Sequence, residues 1–187
     1  AELLLNSMSK LFSKYKSGLG ISILFVGALL AASTGIVGAT VIAMGLISLP
    51  AMLQRGYSEK ISTGLIAATG TLGQIIPPSI ALVILGDVLA TAYQQSQLKI
   101  GNYVAKSLSV GDLFMAAIVP GLILVIIYGL YFIFNLRKED IISTNDSREE
   151  SFIKLISTLA PPFFLIFAVL GSIIFGVASP TEAAGIG

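Results

Sequence analysis

The sequence predicts an all-α, polytopic membrane protein with a re-entrant helical hairpin and a discontinuous helix. Three observations carry this. Of 187 residues, 55% are hydrophobic and 11% charged, less than half the roughly 25% charge of soluble domains, and the mean hydropathy is +0.93. The charges divide the chain into four uncharged blocks, 17–54, 61–86, 113–136 and 155–181. Two of those blocks contain a feature that no ordinary spanning helix carries.

The composition also excludes. There is no cysteine and no histidine, so disulfides, thiolate or imidazole metal sites and Cys/His nucleophilic catalysis are ruled out. A net charge of +1 without a basic, aromatic-interleaved patch points to no nucleic-acid partner. The apolar blocks hold no paired acids and no serine with an evident base, so an enzyme is not expected. With no tryptophan, six tyrosines remain for the membrane interfaces. The chain starts at Ala1-Glu2-Leu3 and stops in apolar sequence at Gly187, and is expected to be an interior piece of a longer polypeptide.

Residues 1–17 place Leu3, Leu4, Leu5, Met8, Leu11, Phe12 and Tyr15 at helical spacing, with Lys10, Lys14 and Lys16 between them. That pattern suits an interfacial or linker helix, or the end of a preceding one. The block 18–54 has the wrong length. As one helix, Ser17 to Gln54 would run roughly 57 Å against a hydrocarbon core of about 30 Å, yet two full crossings with a turn would be cramped. A re-entrant hairpin fits, with "AASTG" (Ala31 to Gly35) as its small, polar tip and its second arm ending near Pro50. Lysine and arginine placement agrees with a return to the starting side. Lys10, Lys14, Lys16, Arg55, Lys60, Arg137, Lys138, Arg148 and Lys154 then share the cytoplasmic face, and only Lys99 and Lys106 lie opposite. Two tight full crossings would give the same parity.

Residues 61–90 read as a transmembrane helix broken at "GTLGQIIPPS" (Gly70 to Ser79), where Gly70, Gly73, Pro77 and Pro78 forbid a regular helix. A polar connection on the periplasmic side (91–112) follows, closing on the helix start "SVGDLF" with Asp112 near the positive end of the dipole. Next come a spanning helix (113–136), a charged cytoplasmic loop (137–154), and a last helix with the start of the next repeat (155–187). In that final stretch Ser179-Pro180-Thr181-Glu182 reads as a helix N-terminus more readily than as a functional acid.

A broken backbone inside a membrane must be buried in protein or line a wet cavity. Two interruptions at similar depth, the tip and the break, are what secondary transporters use: unwound carbonyls and hydroxyls hold sodium, and half-helix N-termini attract anions. Ser33, Thr34, Thr69, Thr71 and Ser79 offer hydroxyls, and the glycines offer accessible carbonyls. Each feature also has a packing explanation. The prolines kink helices, Ser33 and Thr34 bond back to their own helix, and Gly27, Gly35, Gly38 and Gly45 allow close approach.

"QRGY" (Gln54 to Tyr57), "GTLGQIIPPS", "SVGDLF…A.VPG" (Ser109 to Gly121) and "SPTEAAGIG" (Ser179 to Gly187) together resemble the large membrane subunit of tripartite ATP-independent periplasmic (TRAP) transporters. The resemblance covers nearly the whole chain. It implies an elevator-type secondary transporter of the ion-transporter superfamily in the bacterial inner membrane. Such a protein imports a small organic anion with sodium as the coupling ion and no other cofactor. It works with a small membrane subunit and a periplasmic substrate-binding protein. The resemblance places a sodium site between Ser33, Thr34 and Gly35 on one side and Gly73, Ile76 and Pro78 on the other, mostly through carbonyls. Thr69, Gly70, Thr71 and Ser79 are expected to face the substrate. A second sodium site and the rest of the substrate site belong to a second repeat outside this chain. One departure stands out: relatives with a Ser-Gly-Ser-Ser tip have Thr34-Gly35-Ile36-Val37 as their counterpart here. A stand-alone sodium/anion symporter of the same superfamily and a purely structural membrane protein are the competing readings.

If the broken helix serves sodium, replacing Pro77 and Pro78 together with alanine weakens sodium dependence of uptake before it weakens folding. Sodium titration of a well-folded double variant checks this, and an unchanged dependence overturns it.

Overall fold

Serines ahead of helices and a left-handed glycine at Gly35 mark several of the helix ends. A computed structural model describes residues 2–11, 16–101, 108–136, 152–179 and 182. They form α1 (Glu2–Leu11), α2 (Gly18–Thr34), α3 (Val37–Gln54), α4 (Glu59–Thr71), α5 (Ile80–Lys99), α6 (Val110–Leu136) and α7 (Phe152–Ile174). Phe12, Lys14 and Tyr15, most of the charged loop over 137–154, and residues 180, 181 and 183–187 lie outside the described residues.

α2 closes at Gly35, whose φ of +62° is a left-handed conformation that suits glycine, and whose amide donates to the Ala31 carbonyl at 2.9 Å. Only Gly35 and Ile36 separate α2 from α3. The tip is therefore shorter than the sequence suggests. Ser33 and Thr34 send their hydroxyls back to the Leu30 carbonyl, both at 2.9 Å, which is compatible with helical backbone, so the helix persists to Thr34. α3 likewise passes Pro50 and ends at Gln54. Pro50 forfeits one helical bond, but Met44 and Met52 on either side are buried, and that packing carries the helix across.

α4 starts on Ser58, whose hydroxyl accepts the Ile61 amide at 3.4 Å, with Glu59 in the first turn. α6 starts in a similar way: the Gly111 amide donates to the Ser109 hydroxyl at 3.0 Å and the Ser109 amide to Asp112 at 3.3 Å. α5 runs on to Lys99, so the expected polar connection is helical from 91 to 99. Its "AYQQSQLK" is made largely of good helix formers.

α2 is apolar on every side and sits in the middle, as such a helix must. Ile23, Val26 and Ala31 are fully buried, packed in one cluster with Leu4, Leu5 and Met8 of α1, Met44 and Met52 of α3, Leu65 and Ile66 of α4, and Phe132 of α6. Tyr57 ties the α3–α4 turn to this core. Its ring stacks on Phe132 with centroids 6.0 Å apart, and its hydroxyl donates to the Lys16 carbonyl at 2.7 Å. A second cluster of Phe114, Val169 and Ile173 holds α6 to α7, with Leu82 and Val83 of α5 against it.

The outside is as apolar as the inside. α6 leaves Val119, Leu122, Ile126 and Leu130 at least half exposed, and α7 does the same with Phe164 and Phe167. Val37–Gln54 and Val110–Leu136 are long and apolar enough to cross a membrane. Continuous exposed apolar surface of this kind suits lipid or further membrane helices, not water.

Gly20 lets α6 close on α2: a Cβ there would lie 1.9 Å from the Phe132 ring. Gly20→Ala must push that buried ring out of its stack with Tyr57. It is expected to destabilise by about 1–3 kcal/mol, read as a lower melting temperature of the purified protein, whereas Gly64→Ala, which meets open space, should not.

Candidate functional site

The two interruptions meet. α4, at 13 residues, and the 3-10 turn Leu72–Gln74 after it add to about 26 Å of rise. α3, 18 residues, rises about 27 Å from the same turn at Arg55–Ser58. The hairpin tip and the break therefore stand at one level.

At the break the chain runs out of donors. In a continuing helix the Gly73 and Gln74 carbonyls would be met by the amides of residues 77 and 78, but both are proline and carry none. The Ile75 and Ile76 amides both turn back to the Leu72 carbonyl, at 3.0 and 2.7 Å. Ser79 repairs part of the loss: its hydroxyl donates to the Gln74 carbonyl at 2.8 Å and accepts the Leu82 amide at 3.3 Å, so one side chain ends the break and caps α5. The Pro77–Pro78 peptide is cis.

The tip is held from both sides. The Thr34 and Thr40 hydroxyls lie 2.8 Å apart, bridging the end of α2 and the first turn of α3, and Thr40 also reaches the Ile36 carbonyl at 2.9 Å. Across the gap, the Gln74 side-chain amide donates to the Gly35 carbonyl at 3.1 Å. Gly73 brings backbone against backbone, for a Cβ on it would stand 2.7 Å from the Ala31 carbonyl oxygen. A Cβ on Gly35 would lie 3.6 Å from the Pro78 carbonyl oxygen. From behind, α6 leans on the break through Gly121, where a Cβ would lie 3.0 Å from the Ile76 side chain.

The structure thus brings Thr34, Gly35, Gly73 and Pro78 to one junction; Ser33 and Ile76 are their neighbours in the chain, but the Ser33 hydroxyl turns back to Leu30 and the Ile76 side chain lies against Gly121 of α6. The other four candidates separate from one another. Thr69 is fully buried against Gly27 and returns its hydroxyl to the Ile66 carbonyl at 2.9 Å. Gly70 faces Val41 of α3. Thr71 is exposed and bonded to the Ala68 carbonyl at 2.7 Å. Ser79 belongs to the break itself. Sequence reasoning missed Gln74 and Thr40. A polar side chain set between the glycine and the prolines of the break was the available signal for Gln74; Thr40, six residues past Thr34 in a separate helix, had none.

Among the described residues no group of three or more acidic, histidine or cysteine side chains gathers, and none of the tip and break residues named above carries a charge. Glu182 is engaged elsewhere. Its carboxylate accepts from the Ser179 amide and hydroxyl, both at 2.8 Å, and those bonds hold its pKa below the usual carboxylate value. The Glu182 amide in turn donates to the Ser179 hydroxyl at 3.3 Å, so the two residues pair with each other. A groove of about 700 Å³ runs between α4 and α6, lined by Ser58, Ile61, Leu65, Tyr128 and Tyr131, and includes none of the tip or break residues.

An all-helical chain with two helices long and apolar enough to cross a membrane, in which a helical hairpin seats on a broken helix, has the make-up of a piece of a polytopic membrane protein. The chain belongs to the DctM component family of the tripartite ATP-independent periplasmic transporters, whose family model matches residues 1–187. It is 33% identical over 186 residues to the C4-dicarboxylate TRAP transporter large permease protein DctM of Rhodobacter capsulatus, covering 100% of this chain and 42% of that protein. It is 31% identical over 185 residues to the ectoine TRAP transporter large permease protein TeaC of Halomonas elongata, covering 98% and 39%. With the isethionate TRAP transporter permease protein DctMQ of Oleidesulfovibrio alaskensis it shares 29% identity over 184 residues, covering 98% and 26%. The chain therefore spans about two fifths or less of the length of these relatives.

Gly73→Ala drives a methyl group into the Ala31 backbone, which has no flexible end to move. The variant is expected to lose about 1–3 kcal/mol and to unseat the tip, seen as faster hydrogen exchange at the amides flanking Gly35. Gly38→Ala, facing open space, serves as the unaffected control.

Proposed function

We propose that this chain carries the first half of a sodium-coupled site in the large membrane subunit of a TRAP importer of small organic anions. The observation that supports this best is the junction of tip and break, where the Gly35 carbonyl meets the Gln74 side chain, the Pro78 carbonyl oxygen would lie 3.6 Å from a Cβ on Gly35, and Gly73 packs on the Ala31 backbone. An all-oxygen donor set without a carboxylate suits a hard monovalent cation. Ser33 and Thr34 add hydroxyl oxygens beside it, and Ile76 adds a carbonyl from the same unwound stretch.

The anion would lie on the other side of the break. There Ser79 caps a 20-residue helix whose first-turn amides and dipole favour negative charge, with the exposed Thr71 at the rim and Thr69 and Gly70 fixing α4 behind it. The relatives' solutes, C4-dicarboxylates, ectoine and isethionate, each carry a carboxylate or a sulfonate, the chemistry such a helix end attracts. In this reading the hairpin of α2 and α3 is re-entrant in the bacterial inner membrane. It moves with α4 and the first half of α5 as an elevator against a scaffold that includes α6. A small membrane subunit and a periplasmic substrate-binding protein complete the assembly, and the second repeat supplies the other sodium and the rest of the substrate site.

The test is uptake into proteoliposomes by the full-length assembly, with pooled organic acids and an inward sodium gradient, with and without the binding protein. Uptake is expected to require both. Uptake that needs sodium but ignores the binding protein would favour a stand-alone symporter, and no uptake of any acid would favour a structural role.

A further inference from the structure

Gln74 is the one side chain that crosses from the break to the tip by a hydrogen bond, among the bonds described, and nothing in the sodium reading assigns it a role. Both of its polar ends are engaged: its main-chain carbonyl accepts the Ser79 hydroxyl, and its side-chain amide donates to the Gly35 carbonyl 39 residues away. The Gly35 carbonyl has particular need of a donor. α2 has ended before it, and the first helical bond of α3 runs from the Thr40 amide to the Ile36 carbonyl at 3.2 Å. Gly35 is buried and falls between the two arms, outside both ladders.

We propose that the Gln74 carboxamide stands in for the cation: it satisfies the Gly35 carbonyl while sodium is absent, and sodium must take that carbonyl from it. The proposal rests on the sodium reading above and names what regulates that site. A buried carbonyl left without a donor or cation is costly. Gln74 removes that cost from the sodium-free state alone. Whatever stabilises the ion-free state weakens ion binding by the same factor. Gln74 thus lowers sodium affinity, which eases release on the low-sodium side, and its half-buried position leaves the side chain free to withdraw.

Gln74→Met keeps the side chain's length and removes the donor. Gln74→Glu is nearly isosteric, loses the donor when ionised, and adds negative charge. In the purified full-length assembly, sodium is titrated against thermal unfolding, with potassium as the control salt. Half-saturating sodium is expected to fall roughly five- to tenfold in Gln74→Met, the equivalent of about one hydrogen bond, and further in Gln74→Glu. Both variants melt below the parent in potassium and regain the difference in sodium. The two variants differ in polarity, so the loss of one to misfolding leaves the other to decide. Half-saturation unchanged or raised, in a variant that still responds to sodium, overturns the role of Gln74 while leaving the sodium reading intact. A parent protein whose melting ignores sodium overturns the sodium reading itself, and this proposal with it.

Discussion

Two amide hydrogens that do not exist, those of Pro77 and Pro78, govern this part of the molecule. Without them the helix that begins at Glu59 cannot continue, and the Gly73 and Gln74 carbonyls face an environment with little water to answer them. The chain responds with whatever donors lie near. Ser79 reaches back to Gln74, the Leu72 carbonyl takes two amides at once, and the Gln74 side chain leaves its own segment to meet the hairpin tip. What holds the tip to the break is the tip's own demand for a donor at the Gly35 carbonyl, met by Gln74, together with the contact of Gly73 on the Ala31 backbone. The rest of the fold positions these two segments so that the demand is met.

That positioning depends on absent side chains as much as present ones. Gly20, Gly27 and Gly73 allow α6, α4 and the break to touch α2 at distances a methyl group would forbid. α2 can therefore be a central column contacted from most sides, with fully buried Ile23, Val26 and Ala31. Because Ala31 lies one turn before the tip and faces Gly73, the column and the break share a backbone-to-backbone contact that no rotamer change can absorb. The junction is correspondingly stiff where backbones meet and adjustable where Gln74 and the two threonines meet.

Much of this could be read from the sequence because it is written in backbone chemistry. Proline pairs, a glycine before a new apolar run and a serine ahead of a helix act locally, so the break at 70–79 and the helix start at Ser109 follow from the residues themselves. The extent of the tip did not follow. Ser33 and Thr34 look like loop residues, but a hydroxyl that bonds back to its own helix is as content inside it. Pro50 looked like a stop and is spanned, because burial of Met44 and Met52 is a tertiary fact. Thr69 and Gly70 read as part of a binding surface. Their partners, Gly27 and Val41, lie roughly 30 to 40 residues earlier, a pairing that emerges only when α2, α3 and α4 pack. The bond from Gln74 to Gly35 is of the same kind.

The distance in sequence between that donor and its acceptor also bears on how the protein is made. The hairpin leaves the ribosome well before residue 74 does, and at about 5–20 residues per second the gap of 39 residues lasts roughly 2–8 s. During that interval α2 and α3 are already apolar enough to enter the bilayer, yet the Gly35 carbonyl has no partner from the break. For that interval the Gly35 carbonyl lacks the donor it has in the finished fold, and the hairpin cannot complete its seat on the broken helix until residue 74 has been made.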